Sequence, residues 1–109
     1  MKLHCEYATR LIIPAIRALV AIRLAKRYGL SQLEIAKRLG VSQPAISYYL
    51  HFKRGKIAVN KLKKDVEIMR LIDQLTDLIY RNERSELLQD MICKICRKAR
   101  KVLVNYNKL

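Results

Sequence analysis

The chain has 109 residues, 51% of them apolar, with three glycines and two prolines. That is enough for one core and too little loop-forming material for a disordered protein. Its 23 Lys and Arg face only nine Asp and Glu, a net charge of +14, which points to a polyanionic partner rather than to heat adaptation, where Glu rises together with Lys.

The charge is uneven. Residues 1–60 hold eleven basic and two acidic side chains (+9), residues 61–90 six and seven (−1), and residues 91–109 six and none (+6). The near-neutral middle suits contact with protein, the two ends contact with nucleic acid.

From about Glu6 to Tyr28 the pattern is helical and apolar around most of its circumference, through Leu11, Ile12, Ile16, Leu19, Val20, Ile22 and Leu24. Such a helix is buried on several sides. Pro14 lies inside it, in a first turn or at a kink. The apolar run from Leu11 to Ala25 includes Arg17 and Arg23 and falls short of the ~20 residues a membrane span needs. No small-residue cleavage site follows it, so a cytoplasmic protein is expected.

Ser31 and Glu34 form a capping box for a second helix, which ends at Gly40. Ser42 caps a third helix, with Pro44 in its first turn, where no backbone donor is lost. Gln32 to His51 (QLEIAKRLGVSQPAISYYLH) therefore spells helix, sharp turn, helix. Ala36 is small where two helices would cross, Gly40 tolerates positive φ, and Ile46 locks the second helix against the first. Ile35, Leu39, Val41 and Tyr49 fall at the other positions such a crossing buries.

If this unit enters a major groove, Ser42, Gln43, Pro44, Ser47 and Tyr48 face the bases. Gln43 suits adenine, Ser47 either base type, and Pro44 a thymine methyl. Tyr48 would reach a phosphate or the groove edge. Lys37, Arg38, Lys53, Arg54 and Lys56 would hold phosphates without regard to sequence, and residues 51–56 (HFKRGK) read as a loop on the backbone.

One long amphipathic helix is expected from about Val59 to Tyr80. Leu62, Val66 and Met69 would pack on the DNA-binding unit, and Ile68, Leu71, Ile72, Leu75, Leu78 and Ile79 would meet another helix. Arg81 to Arg84 breaks the pattern. A last helix from Ser85 carries Leu88, Met91, Ile92, Ile95, Ala99, Val102, Leu103 and Tyr106 on one stripe, which makes a hairpin suited to dimerisation.

Cys93 and Cys96 lie one helical turn apart and can face one ion. Cys96 borders the apolar stripe, Cys93 lies further round, and Arg97 and Arg100 favour thiolate. Cys5, with His4 beside it, would add further ligands. Buried structural cysteines and a Cys93–Cys96 or Cys5–Cys93 disulfide are the competing readings.

Together, Cys5-Glu6, IIPAIRALVA (Ile12 to Ala21), the segment from Gly29 to Leu50, KRG (Lys53 to Gly55) and ICKICRKAR (Ile92 to Arg100) resemble a family of small archaeal transcriptional regulators. The resemblance spans nearly the whole chain and implies an iron–sulfur cluster on Cys5, Cys93 and Cys96, with zinc or no metal as alternatives.

The expected protein is all-α and homodimeric. Residues 1–58 form the DNA-binding unit and residues 59–109 a hairpin for dimerisation and the cysteine site, all in one folding unit. It would bind a palindromic operator in double-stranded DNA as a transcriptional regulator, with a redox or iron response through the cysteines. An architectural chromatin-type protein with purely structural cysteines is the alternative. No acid–base pair, phosphate loop or nucleophile constellation is evident, so catalysis is not expected.

Overall fold

Leu3 to Tyr28 forms a single helix, α1, uninterrupted at Pro14. In this computed structural model the backbone is described for residues 3–51 and 56–107, and side chains for residues 10–51 and 58–103. Ile12, Ala15, Ile16, Ala18, Leu19, Val20, Ala21 and Leu24 are all buried. They point in every direction around α1, and the other five helices described each pack against it. The alanines let neighbouring backbones come close, and the larger residues fill the layers between them.

The expected capping box is present. Ser31 Oγ accepts from the Glu34 N–H at 3.2 Å, and Glu34 Oε1 accepts from the Ser31 N–H at 2.9 Å. Hydrogen bonding from the Ser31 N–H, with a further contribution from the Ser31 hydroxyl, holds the Glu34 carboxyl below its ordinary range. α2 runs over Gln32–Leu39 and stops at Gly40, whose φ is +68°. There the Gly40 and Val41 N–H groups both donate to the Ala36 carbonyl, closing the turn. α3 occupies Gln43–Leu50, with Ser42 Oγ accepting from the Ala45 N–H at 3.3 Å.

The long helix expected over 59–80 is two helices. α4 covers Lys56–Lys63 and α5 covers Val66–Tyr80. The break has a local cause: the Lys64 and Asp65 N–H groups bond back three residues, to Lys61 and Leu62, tightening the last turn. Asp65 then caps α5, accepting from the Ile68 N–H at 2.9 Å. The interruption resets the helical phase. Leu62 and Ile68 are fully buried, whereas Val66 is 84% exposed and does not share the face expected for it. Residues 52–55 of the expected phosphate-binding loop lie outside the described residues, and the division expected at residue 58 falls inside α4.

Asn82, with φ +57°, turns the chain after α5, and the Glu83 N–H donates to the Leu78 carbonyl at 3.0 Å. α6 follows over Ser85–Asn107. Its stripe is covered by its own chain: Ile95, Ala99 and Leu103 are buried, and Leu88, Met91, Ile92 and Val102 pack on the same core. The partners are α1, α4 and α5, so the stripe assigned to a dimer contact closes the core of one chain. Tyr106 lies outside the described side chains. Thr76, buried on α5, is satisfied by donating to the Ile72 carbonyl at 2.8 Å.

A Cβ at Gly40 would meet nothing within 4 Å, so the backbone alone sets the cost of a side chain there. Gly40→Ala is expected to lower stability by about 1–2 kcal/mol in urea denaturation, and Gly40→Asn by less, because Asn tolerates the left-handed region.

Candidate nucleic-acid interface

α2 and α3 meet through Ile35, Ala36 and Ile46, all buried, with Leu39, Val41 and Tyr49 packed at the edge of the same core. This crossing leaves Ser42, Gln43, Pro44 and Tyr48 exposed and Ser47 half-buried. Gln43, Pro44, Ser47 and Tyr48 share one side of α3, at i, i+1, i+4 and i+5. The structure thus brings together the base-facing set read from the sequence. Two members also hold the helix ends. Ser42 caps α3 at its start, and at its end the Ser47 carbonyl accepts from His51 Nδ1 at 2.9 Å. Tyr48 and Tyr49 meet edge to face at 6.2 Å, and Tyr49 Oη accepts from Arg17 Nη1 at 3.4 Å, tying α3 to α1.

The cations divide. Lys37 is exposed on α2. Arg38 is turned inward along the surface: Nη1 donates to the Tyr80 carbonyl at 2.6 Å and to Asn82 Oδ1 at 3.3 Å, and the guanidinium lies 4.9 Å over the Tyr80 ring. The opposite face of Tyr80 stacks on Tyr28 at 3.8 Å. The Tyr28 hydroxyl donates to Asp77, a bond that raises the phenol pKa, with burial and the Asp77 charge adding to it. Arg23 pairs with Asp73 at 3.0 Å, and Arg27 approaches Asp73 and Asp77 at 3.8 and 3.6 Å. Arg38, Tyr80 and Tyr28 therefore form a layered joint between α2, α5 and α1. Sequence reading missed it because its members lie 42 and 10 residues from Arg38. Lys53 and Arg54 lie outside the described residues, and Lys56 opens α4 with its side chain undescribed.

On α6, Cys93 is exposed and Cys96 half-buried, both as free thiols. Burial pushes the Cys96 thiol up, Cys93 adds to the rise, and Arg100 offsets only part of it. The expectation that neighbouring arginines favour thiolate is thus reversed at Cys96. An iron–sulfur cluster takes four protein ligands. The side chains of Cys5 and His4 lie outside the described residues, and among the described residues no three Cys, His, Asp or Glu stand together. Cys93 and Cys96 would supply two of those ligands.

Two short helices crossed through a left-handed glycine, with an exposed polar row on the second, define a helix-turn-helix unit. The sequence profile of a helix-turn-helix family (HTH_3) matches residues 19–54, from the middle of α1 to just beyond α3. That match covers about a third of the chain and supports a small helix-turn-helix regulator that binds DNA. The chain matches no curated protein and no solved structure. Among the described residues no helix is long and apolar enough to cross a membrane.

Lys37 and Arg38 are neighbours with different roles, and their variants separate them. Lys37→Gln is expected to leave stability unchanged and to lower the slope of log affinity against log salt by about one. Arg38→Met is expected to cost about 1–2 kcal/mol of stability without changing that slope. Urea denaturation and fluorescence anisotropy across a salt series read the two effects.

Proposed function

We propose that this chain is a sequence-specific transcriptional regulator, cytoplasmic and without catalytic activity, that binds a palindromic operator as a homodimer. The observation that carries the reading is the row of exposed Gln43, Pro44 and Tyr48 with half-buried Ser47 on a helix held by a glycine turn. Side chains of that kind, presented on a helix that enters the major groove, read base edges, while a protein that coats DNA without sequence preference relies on phosphate contacts. Two-fold symmetry would set the two copies of α3 about 34 Å apart, one per half-site.

The reading extends to a redox or iron response through Cys93 and Cys96 on α6, with Cys5 on α1. Its support is that α6 packs on α1, and α1 in turn packs on α3. A change at the thiols acts on a helix already seated against the support of the reading helix.

Binding-site selection followed by anisotropy at about 50–200 mM salt tests DNA reading. A selected site should exceed random DNA by about a thousandfold or more, and Gln43→Ala should relax preference at one position at a cost of about 1–3 kcal/mol. Equal affinity for selected and random DNA at every salt would make the protein architectural. Sedimentation of the free and DNA-bound protein should give two chains per operator.

For the thiols, protein purified without oxygen should contain iron and sulfide, and oxidation should weaken operator binding in the native chain and not in Cys93→Ser. Protein free of iron and sulfide excludes the cluster. Identical redox dependence in both proteins excludes the thiol response.

A further inference from the structure

We propose that the groove between α5 and α6 is a second anion site, separate from the reading helix, which takes a small oligophosphate ester such as a nucleoside triphosphate. Lys94, Arg97, Lys98, Arg100 and Lys101 of α6 and Leu71 of α5 line a groove of about 510 Å³. That volume lies within the ~300–1,000 Å³ of small-molecule sites. Lys94, Arg97, Lys98 and Lys101 stand at i, i+3, i+4 and i+7, one face of the helix. The acids of α6, Glu86 and Asp90, lie before this row, with Asp90 one turn ahead of Lys94, and the segment 91–109 contains no Asp or Glu.

The acid that reaches the row from α5 is Glu67, and it is already engaged. Lys98 Nζ lies 2.8 Å from Glu67 Oε1, and Arg70 Nη2 3.5 Å from Glu67 Oε2. Lys94, Arg97 and Lys101 are exposed, and among the described residues no carboxylate pairs with them. Three cations of one sign on two successive turns repel one another, and an anion between them relieves that repulsion. Their number matches an oligophosphate better than a single carboxylate. Leu71, 8% exposed at the groove floor, and the methylene stems of the lysines offer an apolar bed for the ester's organic part.

Two observations favour a small molecule over duplex DNA. The cations line a concavity with an apolar floor, where a phosphate backbone is served by an open ridge. In addition, α6 packs on α1, α4 and α5 and touches neither α2 nor α3 among the described residues, so the groove shares no residue with the reading surface. The site therefore stands or falls independently of operator recognition.

Calorimetry on the full chain at about 150 mM salt, with ATP as the probe, tests the site. One ATP per chain is expected. Replacing Lys94, Arg97 and Lys101 together with Gln should weaken ATP by about tenfold or more, Arg97→Gln alone by a smaller factor, and Lys37→Gln not at all. Inorganic tripolyphosphate should compete at the same site. Thermal melting of each variant checks that the fold is retained, and the single Arg97→Gln serves if the triple variant melts early. Undiminished ATP binding by the altered groove, or several ATP per chain lost equally in Lys37→Gln, overturns the site. If the triple variant keeps ATP affinity but loses DNA affinity and salt slope, the face is a DNA contact and the proposal fails, while helix-turn-helix reading survives.

Discussion

Every other helix described in this protein packs against α1, whose buried side chains point to all sides. Burying Ile12, Ile16, Leu19, Val20 and Leu24 on different sides of one cylinder requires neighbours all round, and the chain supplies five helices to meet that need. A fully buried aliphatic side chain contributes about 1.5–3 kcal/mol by leaving water, so α1 outweighs any surface ion pair in fixing the fold. The short helices α2, α3 and α4, of eight residues each, are below the length at which a helix persists alone in water. They are helical because they lean on α1.

That arrangement changes how the net charge is understood. The basic excess of the first sixty residues suggested a DNA footprint, yet Arg23 and Arg27 reach Asp73 and Asp77, and Arg38 is bound to the end of α5. The ion pairs are partly exposed, each worth little by itself. The value of these contacts lies in position: they join α1 and α2 to α5 along one flank, with the Tyr28–Tyr80 stack between. Among the described cations that remain outward, Lys37 on α2 and the row on α6 stand in places with different geometry and different chemistry.

What was legible in the sequence follows from the range of the interaction involved. The capping box at Ser31, the glycine stop at Gly40, the cap at Ser42 and the start of α6 at Ser85 are set by residues within a few positions, and each is where the residue types put it. The break between α4 and α5 is also local, but it carries neither Gly nor Pro, and only Asp65 signals it. The engagement of Arg38 was not legible, because nothing near it in sequence names Tyr80 or Asn82 as partners. The same holds for the α6 stripe, whose periodicity says that it is covered and does not say by which chain. At Cys96 the arginines were visible in sequence while the burial that outweighs them was not.

The joint between α2 and α5 constrains how any signal from the C-terminal helices can reach the reading helix. α6 touches no part of α2 or α3 among the described residues, and the packed routes between them run through α1 and through the end of α5. The α1 route is densely packed, and packed cores shift between discrete arrangements rather than deforming smoothly. The α5 route ends in one guanidinium held by a carbonyl, an amide oxygen and a ring face, which makes α2 follow α5 as a rigid neighbour. With both routes stiff, local distortion within the helix-turn-helix unit is the costly response. In the proposed homodimer, moving the whole unit against a second copy would be cheaper, since it leaves the core and the Arg38 joint intact. In the homodimer proposed above, regulation would therefore act on the spacing between two reading helices more than on the shape of either one.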